Sequence, residues 1–127
     1  MATTSKIRCS TRDISTVLIT GLAAGGATQG AWIHQANFVG MWLMDRDSDS
    51  EATLMYRARR VQAPFDTALA TQGDSIYWHE TDGDFVVSGA NVTGPVGTLL
   101  EDKAAATLVA EIELMGDLGA RDAEVTI

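Results

Sequence analysis

A chain of 127 residues is the length of one domain and leaves little room for a second. With 46% hydrophobic residues and 2 prolines it can bury a core, which excludes bulk disorder. A formal net charge of −8 excludes the basic footprint that nucleic acid requires, and it argues against an anionic membrane surface.

Residues 1–13 are polar. Ile7 and Cys9 alternate there with Lys6, Arg8 and Ser10, which predicts an arm that pairs as a strand on contact with something. The start has no apolar stretch of signal-peptide length, and nothing approaches the ~20 apolar residues of a bilayer span. The expectation is a soluble protein: an arm over 1–13 and a single β-domain over 14–127.

Residues 14–20 are β-branched and read as a strand. Gly21, Gly25, Gly26 and Gly30 then mark a flexible loop. No Lys-Ser/Thr pair follows them, so the loop lacks a phosphate-binding pattern. Residues 31–44 are nearly continuous in apolar character and predict one strand buried on both faces. A charged turn over 45–51 leads to an alternating strand over 52–61, giving a hairpin with an acidic tip.

A connector over 62–71 precedes a strand over 74–80. Asp82-Gly83 predicts a tight turn into a return strand over 84–88. Residues 89–95 read as loop and 96–101 as a short strand. Residues 104–114 fit either a helical stripe or an alternating strand. Strand is favoured, because the neighbouring segments are short strands at regular spacing. The tail over 116–127 ends in Val125-Thr126-Ile127, an edge strand. These elements predict an all-β fold, a small barrel or sandwich.

The residues able to carry chemistry are few. His34 and His79 each sit in a predicted strand without the local spacing of a zinc site. Cys9 has no base beside it and cannot form an intrachain disulfide, being the sole cysteine. Asp45, Asp47, Asp49 and Glu51 suggest a calcium loop. Ser50 and Tyr56, however, stand where such a loop needs Gly and Glu. Trp42 and Trp78 are expected in the core, with Trp32 the one candidate ligand platform. The expectation is no catalytic, cofactor or metal residues and no enzymatic activity.

Charge patterning is sharper. Arg57 and Arg59 share one strand face, and Glu111 and Glu113 share another. If these faces meet, within the chain or between subunits, each cross-strand pair contributes roughly 0.2–1 kcal/mol. Two solvated faces are the alternative. Ile7, Arg8 and Arg12 of the arm complete the candidate contact residues.

The segment Ala70-Thr71-Gln72-Gly73-Asp74-Ser75-Ile76-Tyr77-Trp78 is followed by Gly94-Pro95-Val96-Gly97-Thr98-Leu99-Leu100-Glu101-Asp102 and an Ala-rich run. Upstream stand Gly30-Ala31-Trp32 and Val39-Gly40. Over roughly residues 28–116 this order resembles the capsid cement, or head decoration, proteins of tailed bacteriophages. The hairpin over 45–51 is longer than in that pattern, and the N-terminus is extended. The resemblance implies a β-barrel or β-tulip-like domain on the outer capsid surface of the virion, assembled in the host cytoplasm. It implies binding to the major capsid protein and self-association as a homotrimer, with a dimer as the alternative. Removing residues 2–13 is then expected to abolish capsid binding and leave the fold intact. The competing readings are another virion subunit, of tail or head completion, and a carbohydrate-binding β-module built on Trp32.

Overall fold

The computed structural model describes residues 6–118 and 124–125. Among the described residues, nine strands form one antiparallel sheet that nearly closes on itself, an all-β barrel. They are β1 (Ile14–Ile19), β2 (Trp32–Gln35), β3 (Phe38–Trp42), β4 (Ala52–Pro64), β5 (Ser75–His79), β6 (Asp84–Val86), β7 (Val92–Leu99), β8 (Val109–Met115) and β9 (Glu124–Val125). Neighbours run β2-β3-β4-β8-β7-β5-β6, with β1 paired to β4 and β9 to β7. Closure comes just past β4, where Phe65 bridges Phe85 of β6 and the Asp66 N–H donates to the Phe85 carbonyl at 3.2 Å.

The thirteen residues of β4 organise the molecule. Successive side chains of a strand point to opposite faces, and at Leu54 and Met55 both faces are buried, whereas Arg57, Arg59 and Arg60 are exposed. Met41, Met55, Val61, Ile76, Phe85, Ile112 and Leu114 belong to the main core. Trp42, Ala52 and Leu54 join Ile19, Leu22 and Ala27 in a second cluster on the other side. Each large apolar side chain so buried contributes roughly 1.5–3 kcal/mol.

Close approach of β3, β4 and the end of β8 needs two glycines. The Val39 N–H donates to the Gly116 carbonyl at 2.8 Å, and the Gly116 N–H donates to the Tyr56 carbonyl at 2.7 Å. A Cβ on Gly40 would overlap the Met55 carbonyl, and one on Gly116 the Val39 carbonyl.

Three expectations are corrected. Residues 31–44 form a hairpin rather than one strand. Gln35 pairs with Phe38 across a two-residue turn, Ala36-Asn37, with Ala36 at φ 55°. The β3 half is buried on both faces as expected. Next, β7 starts at Val92 within the predicted loop. Pro95 is tolerated because the ladder with β5 is interrupted there, passing from Ile76↔Gly97 to Trp78↔Thr93. Last, the segment 104–114 is strand, as favoured over helix, only from Val109 onward, and residues 104–108 are not strand. Ala106 turns at φ 69°, and Lys103 is buried beneath the loop.

The arm is docked where it is described. Ile7 bridges Val61 and packs on the main core. The Arg8 N–H donates to the Arg60 carbonyl at 2.9 Å, and the Gln62 N–H donates to the Lys6 carbonyl at 2.9 Å. A 3-10 turn, Thr11–Asp13, then leads into β1 on the same side of β4. Removing the arm therefore strips part of the barrel wall, contrary to the expectation of an intact fold. Of the expected C-terminal edge strand, Val125 pairs with Val92. Thr126 and Ile127 lie outside the described residues.

Candidate functional site

The candidate contact residues fall on one side of the barrel, in two groups. The first surrounds Glu111. Its carboxylate accepts from Arg60 Nε at 2.6 Å and lies 3.4 Å from Arg8 Nε, beside the docked Ile7. The second is a groove of about 200 Å³ lined by Arg12, Asp13, Arg57, Arg59 and Glu113 among others. Arg59 reaches Asp13 at 3.9 Å. The structure thus gathers Arg12, Arg57, Arg59 and Glu113, and it separates them from Ile7, Arg8 and Glu111.

The sequence leaves open whether the Arg57/Arg59 face meets the Glu111/Glu113 face; the ion pair from β4 to Glu111 runs through Arg60. The cause is the irregularity in the β4–β8 ladder, which passes from Ala58↔Leu114 to Val61↔Ile112 and leaves Arg59 and Arg60 out of step. Exposed ion pairs of this kind contribute up to about 1 kcal/mol each. Their use is register and complementarity rather than stability.

A polar network links β2 and β7 through Glu80, just past the end of β5. Glu80 Oε2 accepts from the Thr93 hydroxyl and lies 2.6 Å from His34 Nδ1. A carboxylate can only accept, so the Nδ1 of His34 carries the proton. Thr93 is 2% exposed, so its hydroxyl is out of reach of any substrate. Trp32 meets Phe85 edge-on, with ring centroids 5.3 Å apart, and its Nε1 is buried without a partner. The group holds the β2–β3 hairpin over the barrel. Trp32 is part of that packing and remains partly exposed. Trp42 and Trp78 are 2% and 4% exposed, as expected of core residues.

A third group sits at the β5–β6 turn. Donor atoms of His79, Asp82 and Asp84 lie within 4.8 Å of one another. The Asp82 N–H donates to His79 Nδ1 at 3.0 Å, so the ring's lone pair is used and its proton sits on Nε2. The Oδ1 of Asp84 is buried without a hydrogen-bond partner. Burial raises the pKa of Asp84 above the ordinary carboxylate value, and the charges of Asp82 and Asp66 raise it further.

The acidic tip is laced to the glycine loop. Ala27 bridges Arg46, the Gln29 N–H donates to Asp45 Oδ1 at 2.8 Å, and the Asp49 N–H donates to the Leu22 carbonyl at 2.8 Å. Gly26 sits where a Cβ would strike the Arg46 carbonyl. Cys9 is half-buried against the core.

Glu80, Thr93, Asp84 and Lys103 are site residues that sequence reading missed. Lys103 is 2% exposed and donates to the Thr107 carbonyl at 2.7 Å and the Ala104 carbonyl at 3.2 Å. Only the break in alternation at Arg59-Arg60 could have flagged the ion pair on β4. No protein-family model, curated protein or solved structure matches the chain.

Proposed function

We propose that the chain is a capsid decoration subunit without catalytic activity. It binds the major capsid protein on the outer surface of a mature phage head and ties neighbouring capsomers together. The observation that carries this reading is the pairing of the two motif-bearing segments. Ser75–His79 and Val92–Leu99 lie side by side, with Ser75 opposite Thr98 and Ile76 opposite Gly97. Residues far apart in sequence thereby become one structural unit, as a shared scaffold pattern would require. A second support is the net charge of −8, which suits an outer surface kept from clumping.

The mechanism is linkage. A subunit that binds only the expanded lattice stabilises it by mass action, and many modest contacts repeat over the shell. The groove of Arg12, Arg57, Arg59 and Glu113 is the contact surface of choice, against either the capsid protein or a neighbouring subunit. Self-association as a trimer, or alternatively a dimer, belongs to the same reading.

Imaging of particles assembled with and without the protein tests this. Added density at local three-fold positions, with hundreds of copies per particle, is the expected outcome. Heads without added density, or a handful of copies in a tail ring, would overturn it.

A further inference from the structure

We infer that β1 is a self-association edge, through which two copies pair antiparallel about a two-fold axis. Among the described residues β1 pairs only with β4, so its other edge presents unpaired N–H and C=O groups. Exposed edges are normally protected by charges, proline or bulges. The sequence Ile-Ser-Thr-Val-Leu-Ile carries no charge and no proline. The one irregularity against β4 skips Tyr56 of β4 and leaves β1 continuous. Leu18 is 53% exposed on this strand.

Charge selects the occupant. At the N-terminal end of β1 stand Arg12, Arg57 and Arg59, with Asp13 and Glu113. At its C-terminal end, Ile19 pairs with Ala52, and the adjoining cleft is lined by Arg46, Asp49 and Glu51 among others. One end is therefore net positive and the other net negative. Antiparallel pairing of two copies sets each positive end against the partner's negative end, twice, by symmetry. Parallel pairing would set like against like.

The pleat fixes the register. Side chains directly opposite must share a face, so the axis passes between the two copies of one residue. Centring on Val17 pairs residues 15–19 within the strand and sets Ile14 opposite Thr20, just past its end. Thr16 and Leu18, both exposed, then face each other across the axis, and the 3-10 turn that carries Arg12 lies toward the far end of the other copy's β1, near Leu22, whose N–H donates to the Ser50 carbonyl at 3.1 Å. Arg12 comes within side-chain reach of the partner's acidic turn at Glu51. The closed two-fold pair favours the dimer over the trimer, and it is a property of the isolated chain that does not depend on capsid binding.

Sedimentation equilibrium of the purified full chain tests this. The expected result is a reversible dimer of the 13.5 kDa chain, weakened by salt. Combined Thr16→Lys and Leu18→Lys, which set like charges opposite one another, should leave a folded monomer. Arg12→Glu and Glu51→Arg should each weaken the dimer about tenfold, because the pair occurs twice, and together they should restore it. A wild-type trimer, a monomer at every concentration, or strictly additive charge reversals would overturn the inference. If the double-lysine variant does not fold, the charge-reversal cycle decides alone. Capsid imaging is a separate measurement, so the two readings can fail independently.

Discussion

Asp84 combines a buried oxygen without a partner and two acidic neighbours. Its pKa is raised, so the native state holds the proton more tightly than the unfolded chain does. Stability from this group is therefore full below the ordinary carboxylate range and is lost as pH rises through the raised native value. Asp84→Asn is expected to raise the melting temperature at pH 7 and to give no gain near pH 3. Thermal denaturation at both values checks the sign. Gly116 tests a different cause at the same scale. A methyl group there must displace the Val39 carbonyl, so Gly116→Ala is expected to cost about 1–3 kcal/mol in urea denaturation. Neither residue stands out in the sequence. The burden on Asp84 comes first from burial and then from Asp82 and Asp66, and the crowding at Gly116 from β3 and β4.

At the scale of elements, the short loops were legible where a residue with special backbone freedom marked them. Asp82-Gly83 is such a place, and Gly83 turns at φ 69°. The turn at Ala36-Asn37 was marked only by the polar break His34-Gln35-Ala36-Asn37, because an ordinary alanine rather than a glycine holds the left-handed conformation. That conformation costs alanine roughly 1–2 kcal/mol. Ala36→Gly is thus expected to stabilise the protein by about 1 kcal/mol, read as a shift of the urea midpoint at constant slope. The strands β1, β3, β4, β5 and β6 were readable from alternation or apolar density. The β4–β8 irregularity was not, since ladder register depends on the partner strand. It decides that Arg60, rather than Arg57 or Arg59, reaches Glu111.

For the molecule as a whole, the docked arm and the shared strand matter most. Deleting residues 2–9 removes Ile7 from the core and two backbone hydrogen bonds to β4. The expected loss is about 2–3 kcal/mol, measured by urea denaturation. The all-β class was legible from strand spacing. The two-sided core was legible only in part, because it requires knowing that β1 and β2–β3 flank the same long strand. That strand carries a kinetic consequence. Leu54 and Met55 are consecutive, yet they anchor clusters on opposite faces. Neither cluster can open fully while β4 stays in place, and β4 cannot leave without dissolving both. The two cores should melt in a single transition, and the amides of residues 54–61 should exchange with solvent deuterium only through global unfolding.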